Sequence, residues 1–235
     1  MRITRLVCRY CGSILSGLGQ DQVFFCSNCG KGWSLGKKGL EPIQVQCRAS
    51  ADSHLPLPFW MVKATVHVLK RTVRNEFTAT MLKFGSRYEE DVLSAKKRET
   101  GGQSDRRTFL FPAFSLDGLP GIGVNLSKHI ADLPDIIGAE ENLPDICGGS
   151  ISAVDALVLA RCVAVGQEAE KADWLAEIDI ALSSVKSALI ILPCIMEVEM
   201  VAIADTGVSF FRRSAPGWDG MVDYHSAKRA GSDRA

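Results

Sequence analysis

The sequence predicts an α+β protein, with a small cysteine-bearing module at the N-terminus and a mainly antiparallel sheet domain carrying one or two helices. Three observations predict it. Two CxxC pairs stand at Cys8/Cys11 and Cys26/Cys29. The stretch FWMVKATVHVL, starting at Phe59, alternates apolar and polar residues as a half-buried strand does. The stretch SISAVDALVLARCVAVGQEAEKA, 150–172, repeats its apolar residues at helical spacing.

The N-terminal module is predicted over 1–40. Its spacing is C-x2-C-x14-C-x2-C. Two residues between cysteines let one tight turn aim both sulfurs at a single ion. Two such turns complete a tetrahedral four-sulfur shell, which suits zinc. Gly12 and Gly30 follow the two pairs, where a positive φ turns backbone N–H groups toward the thiolates. QVFF before the second pair and GWSL after it read as strands entering and leaving that turn. Cys8, Cys11, Cys26 and Cys29 are therefore the candidate metal ligands.

Cys8, Cys11, Gly12, Cys26, Cys29 and Gly30, with Trp33 in the following strand, make this module resemble the zinc ribbons, the rubredoxin-like group of metal knuckles. The resemblance covers about residues 6–40 and implies a structural zinc. It implies little about function, because zinc ribbons occur in nucleic-acid machinery, enzyme accessory lobes and assembly scaffolds. Iron for electron transfer is the minor alternative, since the same four thiolates hold it. Thiol redox cycling is a third reading.

Residues 41–58 read as a polar, proline-containing linker with one short strand near Ile43–Cys47. The α+β domain is predicted over 59–211 with a polar insertion at 69–107. Val62, Ala64, Val66 and Val68 fall on one strand face, with Lys63, Thr65 and His67 on the other. DWLAEIDIALSSVKSALIILPCI, from Asp173, reads as strand, turn and apolar strand, matching FWMVKATVHV and TFLFPAF as an internal duplication with Trp60 set on Trp174. GVNLSKHIADL, 123–133, is a short helix candidate. The longer helix has Ser152 and Asp155 as a capping box and an apolar face of Val154, Leu157, Val158, Cys162 and Val165. MVAIADTGVSFF, 200–211, reads as two strands around an Asp-Thr-Gly turn, and 212–235 as a disordered tail.

No catalytic set emerges. Asp205-Thr206-Gly207 resembles the active-site stretch of aspartic proteases, but a single copy supplies half of the required pair, and a hairpin turn explains the residues equally. GLPGIG, 118–123, lacks the lysine of a phosphate loop. His54, His67, His129 and His225 are scattered, and Cys47 with His54 makes half a second metal site at most. Cys162 and Cys194, in apolar runs, read as buried small hydrophobes.

The formal net charge is zero, yet 1–107 carries 18 basic against 9 acidic residues and 108–205 carries 4 against 15. The opening MRITRLVCRY has no signal-like apolar core, and SALIILPCIM is half the length a membrane crossing needs. A cytoplasmic protein without a transmembrane segment is expected, its thiols available for metal. The function expected is non-catalytic protein–protein assembly. Nucleic-acid binding by the basic N-terminal module is the alternative: Arg2, Arg5, Arg9, Lys31, Lys37, Lys38 and Arg48 surround it, and Tyr10, Phe24, Phe25 and Trp33 are available to stack.

Overall fold

A computed structural model of the chain describes residues 6–15, 17, 19–48, 55–74, 98–133, 136–137, 148–171 and 173–211. The architecture is α+β, with two α-helices among the described residues and mainly antiparallel sheets. β1 (Val23–Phe25), β2 (Gly32–Gly36) and β3 (Gly39–Ile43) form a three-stranded antiparallel sheet in chain order. The remaining strands form an eight-stranded sheet.

The spine of the large sheet is a pair of long strands, β5 (Leu55–Arg74) and β9 (Trp174–Met196). They run antiparallel from Leu55 opposite Cys194 to Arg74 opposite Trp174. β6 (Arg98–Thr100) and β7 (Gln103–Pro112) add to the other edge of β5. Beyond β9 lie β4 (Val45–Arg48), the one parallel neighbour, with β8 (Ile136–Ile137) outside it. The hairpin of β10 (Met200–Ile203) and β11 (Ser209–Phe211) also extends from β9.

The stretch expected as a linker, 41–58, thus holds β4 and the start of β5. The stretch read as an insertion, 69–107, supplies the end of β5, all of β6 and the start of β7; 75–97 and the tail 212–235 lie outside the described residues.

α1 (Leu119–Lys128) and α2 (Ala153–Ala169) cover one face of β7, β5 and β9. The expected alternation places Val62, Ala64, Val66 and Val68 in the core. Toward its start β5 is buried on both faces, as are residues 188–194 of β9 facing it. Phe59 meets Phe114 edge to face and Phe114 meets Phe210 at a tilt, with centroids 6.1 and 5.8 Å apart, and Trp60 donates its indole N–H to the Ile151 carbonyl at 3.0 Å. Each such side chain removed from water contributes about 1.5–3 kcal/mol. The Leu110 N–H on β7 is donated to Ser127 Oγ of α1 at 3.0 Å, which occupies a strand donor with a helix hydroxyl.

Two readings of the sequence are corrected. β9 is one continuous strand, so the strand–turn–strand half of the suspected duplication does not form; Ser184 instead takes φ 51° within the strand. Trp60 lies opposite Leu189, and Trp174 opposite Arg74.

The second correction concerns α2. Its cap is as expected, with Ser152 Oγ accepting the Asp155 N–H at 3.1 Å. Its buried face, however, is Ala156, Ala160, Val163, Ala164 and Glu168. Val154 and Val158 are 66% and 61% exposed, and Cys162 is exposed rather than buried. The cause is close approach: a Cβ on Gly166 would stand 2.6 Å from Val124 Cγ2 of α1, and one on Gly123 would stand 2.6 Å from Val163 Cγ2. Small residues are needed on the packed face, so the larger apolar residues turn outward.

Candidate metal centre

The two CxxC turns fold alike. Gly12 and Gly30 take φ 77° and 67°, the left-handed region glycine enters without a Cβ penalty. Gly12 N–H reaches the Cys8 carbonyl at 2.9 Å, and Gly30 N–H the Cys26 carbonyl at 2.8 Å. Cys8 N–H is donated to the Ser13 carbonyl at 2.8 Å, and Cys26 N–H to the Lys31 carbonyl at 3.0 Å. Inside each turn, backbone N–H groups aim at sulfur: those of Tyr10 and Cys11 at Cys8, Ser13 at Cys11, Asn28 and Cys29 at Cys26, and Lys31 at Cys29.

The turns bring the four sulfurs together. Cys8 Sγ is 3.6 Å from Cys29 Sγ, Cys11 Sγ is 3.4 Å from Cys26 Sγ, and all four lie within 4.8 Å of one another. A tetrahedral zinc with bonds of about 2.3 Å spaces its sulfurs about 3.8 Å apart, so the set fits a single ion. Among the described residues these four cysteines are the only such cluster of metal-ligating side chains.

Electrostatics favour a cation here. Burial pushes the Cys29 thiol up to about 12 and raises Cys26. The Ser13 hydroxyl and N–H, with Asn28, bring Cys11 down to about 5. Burial opposes ionisation of Cys8, yet the N–H groups of Cys11 and Tyr10 hold it below the ordinary thiol range. The first turn therefore stabilises thiolates at Cys8 and Cys11, whereas burial disfavours them at Cys26 and Cys29, where a bound cation would have to offset that cost.

β1 ties this centre to the body. Phe24 points to the metal side and packs with Cys8, Leu15, Cys26, Trp33 and Leu40. Val23 and Phe25 point the other way and join the main core. Val23 also exchanges backbone hydrogen bonds with Gly149, at 2.9 and 3.1 Å. Of the four aromatics proposed for stacking, Phe24, Phe25 and Trp33 are buried. Tyr10 on the first turn is 73% exposed, Ile14 further along the same loop is 78% exposed, and Lys31 Nζ lies 5.5 Å from the Tyr10 ring centre.

The other candidates among the described residues stay apart from this centre. Cys47 and Cys194 are buried in the main core, and burial raises both thiols, Cys47 to about 11. His54, Cys147 and His225 lie outside the described residues. Asp205 is exposed at a turn with φ 64°, which Thr206 closes by donating its hydroxyl to the Ile203 carbonyl at 2.9 Å. GLPGIG enters α1, with Gly118 at the cap.

Two groupings had no sequence signal. Glu168 meets Arg71, Arg107 and Lys171 inside the fold. His67 sits between Ser104 and Ser183, its ring nitrogens 2.8 and 2.6 Å from their hydroxyls. The His67 partners come from different strands and meet through the register; Glu168 reaches Arg71 and Arg107 from α2, with Lys171 three residues on in the chain.

No protein-family model matches the chain, and neither a curated protein nor a solved structure shows a significant match to it. No helix among the described residues is long and apolar enough to cross a membrane.

Proposed function

We propose that Cys8, Cys11, Cys26 and Cys29 hold one structural zinc ion in a zinc ribbon, and that the ribbon is a docking module for a protein partner. Four thiolates fill a tetrahedral ion and leave no position for a substrate. So small a sheet gains much of its folding energy from such a staple. A reducing, cytoplasmic setting belongs to this reading, because it keeps the four thiols available.

One observation carries the docking role: Tyr10 and Ile14 are exposed on the metal-bearing loop while the other ribbon aromatics are packed inside. Tyrosine is enriched in the cores and hot spots of protein interfaces, and an exposed aliphatic residue on the same loop adds apolar surface for a partner to cover. Stacking on nucleic acid draws on successive aromatics, and the ribbon offers one.

The test is a photocrosslinking residue placed at Tyr10, expressed in the native host. A discrete protein adduct is expected, lost in Ile14→Asp and in Cys26→Ser. Adducts mainly to nucleic acid, or none, would overturn the docking role. Elemental analysis with a visible spectrum tests the ion: one colourless zinc per chain supports it, whereas an iron–thiolate band replaces it with an electron carrier.

A further inference from the structure

We propose that the helix-free face of β7, β5 and β9 binds the phosphate backbone of a nucleic acid, a role separate from ribbon docking. Three cations stand on this face: Lys63 of β5, Arg106 of β7 and Lys186 of β9, all exposed. Lys63 is directly opposite Lys186, and Arg106 is opposite Thr65, two residues along β5. Among the described residues none of the three has a carboxylate partner. The acidic residues further along β9 are already matched, Glu177 with Lys70 at 2.9 Å and Asp179 with Arg161 at 3.2 Å.

Like charges directly opposite in a sheet are destabilising, so stability does not explain the lysine pair. The backbone is bent to make it. Thr65 pairs with Ser183, and a regular strand would then set Val185 opposite Lys63. The register shifts between Lys63 and Thr65, where Ser184 takes φ 51°, and Lys186 replaces Val185. A bulge re-aims side chains, and a non-glycine residue at positive φ costs free energy. Here both costs bring two lysines together.

The rest of the face suits phosphate. Thr65, Ser104, Thr108 and Ser183 put hydroxyls among the cations, and His67 holds Ser104 and Ser183 at 2.8 and 2.6 Å. Lys, Arg, Ser and Thr are the side chains that contact phosphate and sugar. Among the described residues no Phe, Tyr or Trp stands on this part of the face, so binding is through the backbone charge and independent of sequence.

The experiment measures fluorescence anisotropy of a labelled 20-base-pair DNA duplex across about 50–300 mM KCl, using the full chain. Wild type should bind with a log–log salt slope of about −3, from three cations at about −0.9 each. Lys63→Gln/Arg106→Gln/Lys186→Gln should lose at least about tenfold in affinity and most of that slope. The same variant should melt at or above wild type, because the lysine repulsion is gone. Tyr10→Ala should bind as wild type does, which separates this face from the ribbon. Absence of binding at the lowest salt, an unchanged triple variant, or equal displacement by poly-glutamate and by unlabelled duplex would each overturn the proposal.

Discussion

Arg71 Nε lies 3.0 Å from the Glu168 carboxylate, joining β5 to the last turn of α2, and the Glu168 side chain has no exposure to solvent. A carboxylate in that turn opposes the helix dipole and loses its hydration. Three cations compensate it. Arg107 Nη2 approaches at 2.7 Å and Lys171 Nζ at 2.6 Å. Arg71 also grips Asp173 through both terminal nitrogens, one of them at 2.6 Å. Glu168→Ala leaves Arg71 with Asp173 and Arg107 with Asp105 but takes from each its buried carboxylate partner, and should cost about 1.5–3 kcal/mol. Urea unfolding reads it directly; a loss under about 1 kcal/mol would mean that the arginines find other partners.

The same cluster sets an acid limit. Burial would raise the Glu168 pKa, but Lys171 and Arg107 hold it below the ordinary carboxylate value. Arg71 does the same to Asp173. A depressed folded-state pKa contributes stability that is fully present above the unfolded value, about 4.3 for Glu, and is lost as pH falls through the folded one. The stability difference between wild type and Glu168→Gln should therefore stay flat from pH 7 down to about 5 and shrink below about 4.3. A difference that grows on acidification would show that the carboxyl is neutral in the folded state.

How much of this was legible in the sequence follows from range. The clustering of the four cysteines was legible because its unit is local: two residues and a glycine define each turn, at 8–12 and at 26–30. The alternation at 62–68 was legible because one face is covered and the other carries Lys63, Thr65 and His67. The outward turn of Val154 and Val158 was not, because hydropathy favours the larger residues and close packing selected Ala156, Ala160 and Ala164. That i, i+4, i+8 alanine spacing was the available signal. The Glu168 cluster depends on how α2 packs on β5 and β7, the Lys63–Lys186 pair depends on cross-strand register, and a bulge at Ser184 has no local signature in SSVKS.

The zinc reading predicts a graded response to metal loss. Cys26→Ser should abolish stoichiometric zinc and disorder the small core of Leu15, Phe24, Trp33 and Leu40. The large sheet should survive, since its core is separate, but the melting temperature should fall because Val23 and Phe25 lose their anchor in β1. Heteronuclear NMR separates the two effects: amide shifts of 6–43 collapse while those of β5 and β9 persist. Retention of full zinc would remove Cys26 from the ligand set.

Glycine conformation offers a gentler probe of the same centre. Nothing stands within 4 Å of a Cβ on Gly12, so Gly12→Ala meets no clash and carries only the penalty of φ 77°. That penalty is about 1–2 kcal/mol. Because metal binding and turn formation are coupled, zinc affinity should fall about tenfold, measured by competition with a chelator. Unchanged affinity would mean that the turn relaxes to negative φ without moving its sulfurs.

The packing of the two helices supplies the last test. Gly123 on α1 faces Val163 on α2, and Gly166 on α2 faces Val124 on α1, so each helix offers a glycine to the other's valine. A Cβ on Gly123 would also stand 3.2 Å from Phe111 Cβ on β7. Valine is β-branched and stiff, and Phe111 is fully buried, so neither yields easily. Gly123→Ala gains helix propensity, about 1 kcal/mol, yet overpacking costs about 1–3 kcal/mol. A net loss of stability is expected, and Gly123→Ala/Val163→Ala should recover part of it despite the lost methyls. A double-mutant cycle measures that coupling. Additive effects would show that α1 shifts away from α2 rather than pressing on Val163.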